Sequence, residues 1–241
     1  DLVGTTVFNV SEGGTMMRTT GKIGLCIVAL VSLAVLAGCH NMLGGKSGGR
    51  KTALWNGKDF AGWTRVVDDP AADVNEVWRV RSGNLYCAGT ANGYIRTKTS
   101  YSNYRLHVEW RWPETPTNSG VLLHVNGADK VWPVCIECQL KAGNAGDLVL
   151  MNGAGITVDG TDRTNATKQF VVIEKKLPTS EVPAGQWNSY DIYCQGDTVR
   201  CLVNGIAQNA GTGASATSGF ICLQSEGGPI EFRNVYVESL D

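Results

Sequence analysis

The sequence has little charge of either sign, few histidines and almost no helical periodicity. Its 21 basic and 22 acidic residues leave a net charge of −1. No basic run is interleaved with aromatics, so no nucleic-acid partner is expected. Only three histidines are present, and none forms a downstream pair that would turn Cys135-Ile136-Glu137-Cys138 into a zinc site. Apolar residues at helical spacing are nearly missing, which excludes a helical bundle. No uncharged apolar run reaches the roughly 20 residues that cross a bilayer as a helix. What is present is 30 glycines and seven tryptophans in a weakly charged chain. That composition suits a turn-rich β protein with aromatics that can stack on sugars.

The N-terminal region has its own pattern. Arg18 and Lys22 follow Met16 and Met17, an uncharged apolar run spans Ile23 to Leu36, and small residues end it at Leu36-Ala37-Gly38-Cys39. A basic stretch, a short apolar stretch and small residues are the parts of a cleaved export signal. The ending resembles the bacterial lipobox, which implies cleavage before Cys39 and acylation of its thiol. Residues 1–15 precede any plausible start methionine and read as upstream sequence. His40, where an aspartate would retain the protein at the inner membrane, implies by resemblance to Gram-negative lipoproteins an outer-membrane location in the cell envelope. The Gly-rich basic stretch that follows is expected to be a flexible tether. The expected organisation is therefore upstream residues and signal (1–38), lipidated cysteine and tether (39–51), and one domain (52–241), bound to the membrane through lipid.

Alternation of apolar and polar residues, the mark of a half-buried strand, recurs from Tyr104 onward. Tyr104, Leu106, Val108, Trp110 and Trp112 share one face of their segment; Arg105, His107, Glu109 and Arg111 share the other, with His107 toward solvent. In Gly120–Asn126, Val121, Leu123 and Val125 are expected on one face, Leu122 and His124 on the other. Val131–Lys141 places Val134, Ile136, Cys138 and Leu140 one way and Cys135, Glu137, Gln139 and Lys141 the other. Residues 142–167, rich in Gly, Asn and Asp, read as a long loop, and Gln169–Lys175 as a further strand. Trp187–Cys194 and Val199–Asn204 read as a hairpin, with Phe220–Gln224 and Ile230–Glu238 closing the domain. Strands at this spacing, without helices between them, predict an all-β fold: an antiparallel two-sheet jelly-roll sandwich.

Of the eight cysteines, Cys26 leaves with the signal and Cys39 carries lipid. The other six meet a compartment that permits disulfides. Cys135 and Cys138 are three apart on a strand, point to opposite faces and are expected to stay unbonded. Cys194 and Cys201 share a face of the hairpin and are the pair to consider for a local bridge.

A series of phrases occurs in a fixed order. It begins with Leu54-Trp55-Asn56-Gly57 through Gly62-Trp63, Gly93-Tyr94-Ile95-Arg96, Glu109-Trp110-Arg111 and Asn118-Ser119-Gly120-Val121. It continues with Trp132-Pro133, Glu137-Cys138-Gln139-Leu140, Gly146-Asp147, Gln186-Trp187-Asn188, Leu223-Gln224-Ser225-Glu226-Gly227 and Phe232-Arg233-Asn234-Val235. This series, running from Leu54 to the C-terminus, resembles the 3-keto-disaccharide hydrolase domain family. The resemblance implies a concanavalin A-like lectin/glucanase fold and a carbohydrate substrate oxidised at carbon 3 of a glucose ring. A ketone there acidifies the C2 proton, so a base can remove it and the C1–O bond breaks by elimination; water adds afterwards. Such chemistry needs a base, a donor at the enolate oxygen and an acid for the leaving oxygen.

Glu137 is the first candidate for the base, mid-strand on the polar face with Gln139 and Lys141 beside it. Lys141 could polarise the ketone, and His124, on the preceding strand, could serve as acid or base. Gln139, Asn118, Asp147 and Trp132 are candidates for substrate contact; Trp110 and Phe232 read as core. No cofactor is required by the pattern. A divalent ion would suit Glu137, His124 and Asp147, although no spacing demands one. The competing reading is a carbohydrate-binding surface lipoprotein of the same fold without turnover.

Overall fold

The alternating segment around Trp110 forms the middle of a sheet, and the computed structural model describes it within residues 49–240, apart from residue 165. Residues 1–48, where the export signal, Cys39 and most of the tether are expected, lie outside the described residues. In chain order the elements are β1 (Lys51–Ala53), β2 (Trp63–Val67), a single turn α1 (Val74–Val77), β3 (Trp78–Arg81), β4 (Asn84–Cys87) and β5 (Gly93–Thr97). Next come β6 (Tyr104–Arg111), β7 (Gly120–Val125), β8 (Cys135–Gln139), β9 (Leu148–Met151), β10 (Thr157–Val158), β11 (Thr161–Asp162) and β12 (Phe170–Ile173). The last five are β13 (Asn188–Gln195), β14 (Thr198–Val203), β15 (Ile206–Gly211), β16 (Phe220–Ser225) and β17 (Ile230–Ser239).

Besides a separate two-stranded sheet in which β10 and β11 pair, two large antiparallel sheets result. One runs β15-β14-β13-β6-β17-β4-β3, with β1 paired to β17; the other runs β12-β9-β8-β7-β16-β5-β2. The predicted sandwich is the observed one. β6 shows why: Tyr104, Leu106, Val108 and Trp110 are buried between the sheets, while the alternate residues are half-buried on the outside. β13 repeats the pattern in register, Asn188 opposite Trp110 and Ile192 opposite Leu106.

The seven-stranded sheet is apolar on both faces. Val121, Leu123, Ile136 and Cys138 point into the inter-sheet core. On the outer face, Tyr94, Leu122, Val125, Cys135, Val149, Met151 and Cys222 form a second buried cluster. Every residue of β7 and β9 is therefore buried. That outer cluster is the floor on which the candidate site stands.

Three expectations are corrected. Val125 joins Leu122 on the outer face instead of Val121 and Leu123, because the chain bulges at His124. His124 has a φ of 54°, the ladder to β16 shifts register between Phe220 and Cys222, and Asn126 Nδ2 holds the bulge by donating to the His124 and Ser218 carbonyls at 2.9 and 2.8 Å. Residues 142–167 are not one loop: β9, β10 and β11 lie within them. The strand expected over Val131–Lys141 is confined to Cys135–Gln139, and Val134 before it is 55% exposed.

The six described cysteines are all free and buried. Cys135 lies in the outer cluster and Cys138 in the core, on opposite faces as expected. Cys194 and Cys201 do face the same core, but Cys194 sits opposite Val199 and Cys201 opposite Ile192, and they are not bridged. Burial pushes the Cys194 thiol up to about 12, which keeps it a protonated, unreactive thiol.

Candidate functional site

The site is built by register. Directly paired residues on antiparallel strands point to the same face, so Leu122 on β7, Glu137 on β8, Val149 on β9 and Val172 on β12 form one row across the outer face. Cys135, Met151 and Phe170 form the next row toward one end. Gly120 and Gln139 pair in the row toward the other end, where the Gln139 N–H donates to the Asp147 carbonyl at 3.0 Å. A cleft of about 310 Å³ opens over these rows. Glu137, Gln139, Lys141, Asn118, Asp147 and Trp132 all line it.

Glu137 is its centre. The side chain is buried, and Oε1 has no hydrogen-bond partner. Glycine at 120, on the neighbouring strand, leaves the space that the carboxyl group fills. Burial, and secondarily the nearby carboxyl of Glu226, pushes the Glu137 carboxyl well above the usual carboxylate range. Low dielectric and a like charge both disfavour the ionised form. A buried, unpaired carboxyl destabilises the fold, and a group held so in a cleft marks a functional site.

Two amides share the arrangement. Asn118 Oδ1 and Gln224 Oε1 are buried without partners, and both residues line the cleft. Asn118 is bridged through its backbone to Glu226 and Gly227. Glu226 is half-buried; burial raises its pKa, while a hydrogen bond from Asn118 and the charge of Lys141 act the other way. Lys141 itself is exposed at the cleft mouth. Gln224 and Glu226 were not singled out by sequence reasoning, although both stand in the phrase Leu223-Gln224-Ser225-Glu226-Gly227 that helps carry the family resemblance.

The remaining candidates divide by what already holds them. Gln139 Oε1 accepts from the N–H groups of Leu140 and Lys141 at 2.9 and 2.8 Å, so both its lone pairs close the end of β8. Asp147 Oδ1 accepts from the Lys175 N–H at 2.9 Å and lies 3.8 Å from the Lys175 ammonium, so it also ties down the segment after β12. The Trp132 ring stands edge-on to Phe170 with centroids 5.6 Å apart, and its carbonyl accepts from Asn152 Nδ2 at 2.7 Å.

His124 does not reach the cleft. Its ring turns inward against Tyr104 of the opposite sheet, centroids 5.6 Å apart, with Nδ1 2.9 Å from the Ala216 carbonyl. Burial lowers its pKa. The left-handed bulge explains the miss: strict alternation would have turned it outward. The trio Glu137, His124 and Asp147 is thus not assembled, and among the described residues no group of three His, Cys, Asp or Glu side chains is arranged to hold an ion.

A larger depression, about 650 Å³, lies on the outer face of the other sheet beside His107, Glu109 and Arg233. His107 does not simply face solvent there. Its Nδ1 is 2.7 Å from Asp191 Oδ1, Arg105 pairs with Asp191 and Glu238, and Glu109 takes hydrogen bonds from Arg233 and Asn234 at 2.6 and 2.7 Å. These charges are matched to one another, so we read that face as structural and the smaller cleft, with its unpartnered acceptors, as the site.

The architecture is that of carbohydrate-active sandwiches. A putative glycosyl hydrolase from Parabacteroides distasonis ATCC 8503 superimposes with a TM-score of 0.59 at 22% identity, over 79% of this chain and 94% of that one. The carbohydrate-binding module CBM66 from Bacillus subtilis gives 0.52 at 13%, over 74% and 96%. The Bacillus licheniformis β-glucanase gives 0.52 at 11%, over 80% and 99%. At these identities the likeness is one of fold. The chain belongs to the 3-keto-alpha-glucoside-1,2-lyase-like domain family, whose model matches residues 50–238. No curated protein sequence matches it.

Proposed function

We propose that the protein cleaves 3-keto-glycosides by elimination, with Glu137 as the base. The observation that carries this is the buried Glu137 carboxyl with an unpartnered oxygen, standing in a cleft beside two unpartnered amide oxygens. Glu137 removes the C2 proton, and the electron pair forms the enolate of the C3 ketone. The enolate collapses, C1=C2 forms, and the C1–O bond breaks. In the active form the two carboxyls share one proton; it sits on Glu226, half-buried with a raised pKa, which gives it to the leaving oxygen. A raised pKa makes Glu137 a stronger base once ionised. The amide group of Gln224, turned to present N–H, and the Lys141 ammonium supply donors for the enolate oxygen and neighbouring hydroxyls, while Asn118 keeps its hydrogen bond to Glu226. Water added across C1=C2 completes a net hydrolysis.

The domain works from the cell envelope in this reading, held by acylated Cys39 and probing substrate through its tether. A non-catalytic sugar-binding role gives no reason to bury an unpaired carboxyl. Incubating the soluble domain with a 3-keto-glucoside and with its unoxidised parent, followed by product analysis, tests the proposal. Cleavage of the ketone alone is expected; equal cleavage of the parent would overturn it.

A further inference from the structure

We propose that the apolar end of the Glu137 cleft is a subsite for an aromatic aglycone. The proposal rests on Glu137 being the base beside the bond that breaks, and it names the group that leaves. The polarity of the cleft is divided along the strand direction. On one side of the Glu137 row stand Asn118, Gln139, Asp147, Gln224 and Glu226. The Glu137 row continues through Val149 to Val172, and the next row holds Met151 and Phe170. That row lies about 7 Å from Glu137, two residues along a strand, roughly the length of one ring.

Phe170 and Val172 are 40% and 58% exposed, although both belong to the edge strand β12. Exposed apolar groups on an edge invite aggregation unless something covers them. Trp132 stands at 88° to Phe170, so the two rings form a corner above Met151. A flat ring entering that corner meets one face and one edge, the arrangement aromatic groups prefer. Besides the Trp132 indole, the polar side chain lining this end is Gln169, next to Phe170 in sequence. A second sugar placed here would stack on Phe170 but find the Gln169 amide for its hydroxyls and little else, whereas an aryl ring needs no hydrogen-bond partner. Sugar subsites instead need several convergent polar groups, and those lie at the opposite end, around Asn118 and Gln224.

The test compares a 3-keto aryl glucoside with a 3-keto-disaccharide of the same anomeric configuration. Wild-type kcat/KM should favour the aryl substrate by about tenfold or more. In Phe170→Ala and in the near-isosteric Val172→Thr, that ratio should fall toward one through a higher KM for the aryl compound. Calorimetry of the full-length domain with 4-nitrophenyl glucoside and with a disaccharide, neither oxidised, reads the subsite without turnover. Tighter binding of the aryl compound that is lost in both variants supports the subsite even if neither ketone is cleaved, an outcome that would sink the catalytic reading alone. Turnover of both ketones with no aryl preference, or a preference unchanged in both variants, overturns the subsite and leaves the base assignment standing.

Discussion

The carboxyl group of Glu137 lies over the α-carbon of Gly120 on the paired strand, so that any side chain at 120 would run into Oε1. The two positions are one device: the glycine makes room for a buried acid whose Oε1 has no partner among the described residues.

Gly120→Ala should therefore act on the site before it acts on the fold. The new methyl group displaces the Glu137 carboxyl, and a shift of about 1 Å in a reacting group can cost about 100-fold in rate. Overpacking of this kind costs about 1–3 kcal/mol. Thermal melting and kcat/KM measured side by side check it: a small fall in Tm with a large fall in rate is expected. Unchanged rates would show that the Glu137 position does not matter.

Stability should also report the strained ionisation of Glu137. Its folded pKa is raised above the ordinary value of 4.5. The folded state thus holds the proton more tightly than the unfolded chain. That contribution is complete below pH 4.5 and is lost as pH rises through the folded pKa. Glu137→Gln stays neutral and cannot lose it. The variant's Tm should gain on the wild type steadily as pH is raised above 4.5; a pH-independent difference would contradict the burial of a free acid.

Glu226→Gln removes a charge that helps to raise the Glu137 pKa. The acidic limb of the kcat/KM profile should move to lower pH. Because the leaving oxygen also loses its proton donor, substrates with poor leaving groups should slow more than nitrophenyl substrates. An unmoved acidic limb with equal losses for all substrates would remove both roles.

Much of this was legible in the sequence where a strand has one buried face. The alternation in Tyr104–Trp112 gave β6 its faces, and the same reasoning placed Glu137, Gln139 and Lys141 together. β9 was hidden because Leu148–Met151 is buried on both faces and so shows no alternation, within a stretch of Gly, Asn and Asp. His124 was misplaced because a left-handed residue breaks the period of two, and the carbonyls that hold the bulge come from distant residues. Glu226 and Gln224 could not be read as site residues by spacing. They meet Glu137 only through the order of strands in the sheet, with β16 beside β7 and β7 beside β8.

Anchoring is checked on the membrane form of the protein. Mass spectrometry should find Cys39 as the first residue, carrying acyl chains, and Cys39→Ser should leave the signal uncleaved. Normal processing of Cys39→Ser would rule out the lipoprotein route.

The most direct test of the base assignment is the turnover of a 3-keto-glucoside by wild type and by Glu137→Gln, with binding followed in parallel. A positioned general base contributes roughly 10²–10⁴ in rate. The variant should bind the ketone and lose turnover on that scale, and wild type should show a primary isotope effect with deuterium at C2 where that step limits the rate. A Glu137→Gln protein that turns over at the wild-type rate would contradict the assignment outright.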